Sequence, residues 1–194
     1  FRGMQVVRVL ILLAVLASIA GVARASAADS SPDWIFFNGA VVTMEDDQPA
    51  ATAIAIQGEK ILAVGGDADV LALRGANTQV IDLQGRALLP GFVDAHTHVL
   101  NDAQSQGMSL DEAQYLALRN GITSLGELYV DRSFLREIQE FNQAGNLRVR
   151  TGLYLVWDTN CGKVLGDWYK AVPPTRTPGE MLRVNGVKIF TDGG

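Results

Sequence analysis

The chain has 194 residues and a formal net charge of −5, from 16 Lys and Arg against 21 Asp and Glu. With 48% hydrophobic residues it can build a core, which excludes a disordered chain, and its acidic balance leaves no basic surface, which excludes nucleic acid as a partner. At roughly 100–200 residues per domain, the length holds one domain, or a small domain and part of a larger one.

In chain order, Arg2 and Arg8 precede the apolar run Val9–Ala23, after which small residues give Ala23-x-Ala25 and Ala25-x-Ala27 spacings. This is the layout of a secretory signal peptide, and the run is shorter than the roughly 20 apolar residues that span a bilayer. Residues 1–27 are therefore read as a signal peptide. Export to the periplasm or the exterior is expected, with no stable membrane span after cleavage; an uncleaved N-terminal anchor is the alternative. Cys161 is the only cysteine. No internal disulfide can form, so packing or a metal must hold the fold.

Residues 28–89 form the next region. The runs Trp34–Met44, Thr52–Gly66 and Thr78–Pro90 are β-branched or aromatic, and Asn38-Gly39, Gly58-Glu59 and Gln84-Gly85 punctuate them as hairpin turns would. Asp67–Gly75 reads as one or two helical turns. A small, mostly antiparallel β-domain follows.

Past Pro90 the rhythm changes. Gly91–Val99 is strand-like, and Ser109 with Glu112 forms a capping box for a helix that Gly121 ends. Ile122–Val130 is a strand and Asp131–Gly145 a helix with Phe134, Leu135, Ile138 and Phe141 on its apolar side. Leu147–Val156 is a strand, a long loop carries a short helix at Gly179–Val184, and Gly186–Gly194 is a fourth strand. Strands alternating with helices predict βαβ units and a parallel sheet. A closed (β/α)₈ barrel needs about 250 residues, so residues 90–194 are either a small open α/β domain or the first half of a barrel. The end on "TDGG", with no covering helix, favours the half barrel and an N-terminal fragment of a longer protein, inactive by itself.

The two histidines of the chain stand two apart in "LLPGFVDAHTHVL". Strand alternation puts Phe92, Asp94, His96 and His98 on one face and Val93, Ala95, Thr97 and Val99 on the other, packed on helices. His96 and His98 then lie at the C-terminal strand end, where parallel α/β folds keep their sites. They suit adjacent positions around one divalent cation, with Asp94 as support below. Hydrogen-bonded core histidines are the alternative. Glu127, at the end of the next strand, reads either as a group orienting substrate or a metal ligand, or as a solvated or ion-paired carboxylate.

The run "LPGFVDAHTHV" closely resembles the opening of the amidohydrolase superfamily, and "NGAVVTM", "AIAIQGEKILAVG" and "VIDLQGRALLPG" resemble the N-terminal sandwich strands of its members. The resemblance implies an α/β fold, the first half of a (β/α)₈ TIM-type barrel over residues 90–194, preceded by a β-sandwich over residues 28–89. "NGVKIFTDGG" is similar to the fourth-strand segment of members whose lysine is carboxylated and bridges two metals. By that resemblance Lys188 is a third metal ligand as a carbamate. An ammonium cannot ligate a cation, and desolvation makes the neutral amine that reacts with CO₂ accessible; a lysine at the surface or paired with Asp192 is the alternative.

The family pattern adds two further histidines and an aspartate general acid/base, which these 194 residues do not supply. For the intact parent it implies hydrolysis of amide, cyclic amide or peptide-like carbon–nitrogen bonds of a small molecule, with one or two divalent ions, most plausibly zinc. A homo-oligomer of the parent is compatible with it. An esterase, lactonase or deaminase on the same barrel, or a non-catalytic binding domain, remain as alternatives.

Overall fold

Short β-branched stretches broken by left-handed turns make the first part of the chain a set of small strands. The structure, a computed structural model, describes residues 31–159, 161–175 and 177–191. The signal-peptide segment and Asp192 lie outside the described residues. Two compact units divide the chain, one ending at Leu89 and the other starting at Pro90.

In the first unit, β1 (Trp34–Phe37), β4 (Ala53–Gln57), β5 (Lys60–Gly65) and β6 (Gln79–Asp82) form a sheet in the order β5-β4-β1-β6. A second sheet holds β2 (Ala40–Glu45), β3 (Gln48–Ala51) and β7 (Ala87–Leu88) in the order β3-β2-β7. A five-residue helix α1 (Asp67–Leu71) lays Val70 on a core of Ile35, Ala53 and Ala55. The Gly58–Glu59 hairpin forms as expected, with Gln57 opposite Lys60.

The other two turns do not close hairpins. Asn38–Gly39 and Gln84–Gly85 carry the chain from one sheet to the other, and they run side by side: the Gly85 amide donates to the Asn38 carbonyl at 2.7 Å and the Ala40 amide to the Arg86 carbonyl at 3.1 Å. A Cβ on Gly39 would stand 2.4 Å from Leu83 Cδ1, so this approach needs glycine. Because both crossovers travel the same way, β1 pairs with β6 and β2 with β7 in parallel, while β1–β4, β2–β3 and β4–β5 are antiparallel, so the unit is mostly antiparallel with two parallel pairings. Strand β3 carries Pro49. It is an edge strand, where a missing amide removes no ladder bond.

In the second unit, β8 (Phe92–Thr97), β9 (Ile122–Val130), β10 (Arg150–Val156) and β11 (Leu182–Lys188) form one parallel sheet in chain order. Helices α2 (Leu110–Arg119) and α3 (Arg132–Gln143) supply the crossovers β8 to β9 and β9 to β10. Both halves of the Ser109–Glu112 capping box are present, and Asp131 caps α3 by accepting from the Ser133 and Phe134 amides at 2.9 Å each. Ala113 and Ala117 of α2 and Phe134, Leu135 and Ile138 of α3 share one core with Leu125, Leu153 and Leu155 of the sheet. Full burial of a side chain such as Ile138 contributes about 1.5–3 kcal/mol.

Two expectations are corrected here. Gly179–Val184 holds no helix: β11 starts at Leu182, because Leu182–Val184 pair with Thr151–Leu153 of β10, and tertiary pairing overrides local propensity. The short helical turn of that loop is a 3-10 turn at Asp167–Ala171 instead. The expected packing of one β8 face on helices also fails. The register of β8 against β9 slips between Asp94 and Thr97, so two steps on β9 face three on β8. Val93 is 69% exposed, and Val93 and Ala95 line a hollow with Ser124, Gly126 and Gly152 rather than packing under helices.

Candidate metal centre

The slip in β8 delivers both imidazoles to the strand end. Gly126 makes it feasible, since a Cβ there would lie 2.4 Å from the Ala95 carbonyl oxygen. Asp94 Oδ1 accepts from the His96 amide at 3.2 Å, so this carboxylate braces the slipped backbone, not either imidazole. His98 follows the last strand residue, and its carbonyl accepts from the Asp102 amide at 2.7 Å, turning the chain away.

Five side chains form an arc across the C-terminal ends of β8, β9 and β11. The rings of His96 and His98 lie 5.6 Å apart, nearly perpendicular. Tyr129 is 6.5 Å from His98, and Phe190 is 6.1 Å from Tyr129. Lys188 Nζ stands 4.6 Å above the Phe190 ring. Lys188 is half-buried, and among the described residues it has no carboxylate at salt-bridge distance. Asp158, buried nearby, accepts from the Phe190 amide at 2.9 Å and so fixes the segment after Lys188. The sequence reading places Asp158 on the pocket-shaping loop after the third strand but does not single out Tyr129 or Phe190; the spacing of Tyr129 two residues beyond Glu127 is the one signal for it.

Glu127 is fully buried, so the solvated reading does not hold. One oxygen accepts from the Leu100 amide at 3.1 Å. The other lies 3.6 Å from His98 Nδ1, too far for a hydrogen bond, and both of these buried atoms lack a partner. Burial pushes the Glu127 carboxyl up to about 7, against the Leu100 and Asn101 amides that favour its charged form and with Asp102 and Asp94 adding to the rise. Burial also holds the His98 imidazole below its ordinary value; Asp102 opposes this, while His96 and Lys188 add to it. A neutral imidazole is the form that ligates a cation.

The donor set fits a divalent ion in part. His96 and His98 are neighbouring nitrogen donors, and the unpartnered Nδ1 of His98 faces a carboxylate of the kind that orients metal-bound histidines. Among the described residues no three His, Cys, Asp or Glu side chains gather to hold a metal.

Comparison with known proteins bears directly on this segment. The sequence model of the amidohydrolase family matches residues 79–117, which include the histidine pair. The resemblance to amidohydrolases holds. An allantoinase of Escherichia coli is 32% identical over 96 residues, covering 50% of this chain and 19% of the relative. An adenine deaminase of Methanococcoides burtonii is 32% identical over 93 residues, covering 48% of this chain and 15% of the relative. An uncharacterized metal-dependent hydrolase of Pyrococcus horikoshii OT3 superposes with a TM-score of 0.66 at 15% identity, covering 83% of this chain and 55% of that one. The two proteins therefore share a fold over the matched residues. The chain spans less than a fifth of the length of these two curated relatives.

Proposed function

We propose that this chain carries the first metal ligands of an amidohydrolase acting on a carbon–nitrogen bond of a small amide, cyclic amide or peptide-like molecule. His96 and His98 would hold a divalent ion, with zinc the best match to imidazole donors. Lys188, converted to a carbamate, would supply a third, anionic donor from β11, the fourth strand of a half barrel. When bound, the ion supplies Lewis acidity, which lowers the pKa of water and polarises a carbonyl. The chain's own residues do the rest. Glu127 would orient His98 through Nδ1, Asp94 braces the backbone at His96, and Tyr129 and Phe190 place aromatic rings between His98 and Lys188.

The observation that carries this reading is the pair of unpartnered buried atoms, His98 Nδ1 and Glu127 Oε1, facing each other beside His96. A core histidine would have its hydrogen bond satisfied, whereas His98 Nδ1 has none. The relatives' names support chemistry at carbon–nitrogen bonds. Export is proposed as well, on the Arg2–Ala27 layout alone.

The test is elemental analysis of the purified chain after dialysis against zinc. One to two zinc per chain, lost in a His96→Ala/His98→Ala variant that retains its circular dichroism, supports the reading; equal metal in both proteins refutes it.

A further inference from the structure

Beside the arc, and sharing Tyr129 with it, lies a second cavity of about 410 Å³ between the start of α3 and the loop after β10. Its lining includes Arg132, Arg136 and Trp168. The two arginines are one helical turn apart, so their side chains extend along one face of α3. Arg132 is held from below, its guanidinium 5.5 Å over the ring of Trp168, whose own Nε1 donates to the Val156 carbonyl at 3.0 Å. That stacking orders a side chain that would otherwise sweep through solvent.

Neither arginine is in a salt bridge among the described residues. Three acids on or beside these elements have partners of their own. Asp131 Oδ1 takes the Ser133 and Phe134 amides and the Ser133 hydroxyl, Glu137 accepts from Gln104 at 2.7 Å, and Asp167 pairs with Lys170 at 2.6 Å. Two guanidiniums against one occupied carboxylate leave the cavity positive, and guanidiniums offer paired donors matched to a planar anion.

We propose that this cavity is a carboxylate-binding subsite that holds the acidic end of the molecule whose reacting bond lies at the histidine pair. The substrate class is thereby narrowed to acids; this second half rests on the function proposed above, while the anion site itself does not.

The probe is benzoate, titrated into the full 194-residue chain in EDTA and followed by ligand-observed NMR, with inorganic phosphate as competitor. Benzoate should bind the unaltered chain, and Arg132→Gln and Arg136→Gln should each weaken it about tenfold, as expected for loss of a charged hydrogen bond. Arg132→Lys should keep phosphate binding but lose the preference for benzoate, since it retains charge without the planar fork. His96→Ala/His98→Ala should bind benzoate normally, so loss of metal there leaves the subsite result standing. Absence of benzoate binding, equal binding after both arginine changes, or its loss in the histidine variant would overturn the proposal.

Discussion

His98 Nδ1 and Glu127 Oε1 face each other at 3.6 Å, both buried and both without a hydrogen-bond partner. Glu127 is held there by the Leu100 amide, and His98 by the turn that Asp102 closes. The two elements thus hold the pair just beyond hydrogen-bond distance.

This arrangement has a cost in the metal-free chain. The Glu127 carboxyl is raised from 4.5 to about 7, so between these values the folded state holds a proton that the unfolded state has released. Folding stability is then greatest below pH 4.5 and falls as pH rises to 7, by about 3 kcal/mol for this group. The lowered His98 imidazole acts in the opposite sense, losing stability as pH falls below 6.5. Urea unfolding in EDTA of the unaltered chain and of Glu127→Gln isolates the carboxyl: the variant should be the more stable at pH 7.5, with the gap closing toward pH 4.5. A gap that does not change with pH would contradict the burial of an ionisable Glu127.

Asp131 should behave in the reverse way. Burial works against its charge, but the Phe134 and Ser133 hydrogen bonds outweigh it and hold the carboxyl below its ordinary value. The stability it adds to α3 is full above the unfolded carboxyl pKa and is lost as pH falls through the lowered folded value. Asp131→Ala should cost about 1–2 kcal/mol at neutral pH, read from thermal unfolding, and the cost should shrink in strong acid.

Gly126 of β9 lies against the backbone of β8 at Ala95. Gly126→Ala would press a Cβ against the Ala95 carbonyl, so destabilisation of about 1–3 kcal/mol is expected, together with weaker zinc binding, because the slipped register seats both histidines. A variant of unchanged stability and unchanged zinc affinity would show that the slip is not needed.

Lys188 has a distinctive spectroscopic test. With ¹³C-bicarbonate and zinc, a carbamate resonance should appear in the unaltered chain and be missing in Lys188→Ala; its absence from both would leave Lys188 as an amine over Phe190 and remove the third ligand.

Local chemistry was legible where it is completed within a few residues. The Ser109–Glu112 capping box, the Gly58–Glu59 hairpin and the apolar side of α3 each follow from spacing alone. Features set by distant partners were hidden. Asn38–Gly39 and Gln84–Gly85 look like hairpin turns, and only their bonds to each other make them crossovers. Leu182 joins a strand because Thr151 pairs with it. At the site, His96 and His98 were visible as a pair, but the apolar or small character of Val93 and Ala95 suggested a face packed on helices, whereas the sheet turns that face to a hollow lined by Ser124, Gly126 and Gly152. The burial of Glu127, which turns an ordinary carboxylate into a partner for His98, depends on the loop at Leu100.

The most direct measurement is zinc affinity, by competition with a chelator, for the unaltered chain and Glu127→Gln at pH 7.5. If Glu127 orients His98 for a metal, the variant should bind zinc about 10–100-fold more weakly while His96→Ala/His98→Ala does not bind it. Equal affinity in the unaltered chain and Glu127→Gln would contradict the link between the two residues, and failure of the unaltered chain to bind zinc would contradict the metal centre itself.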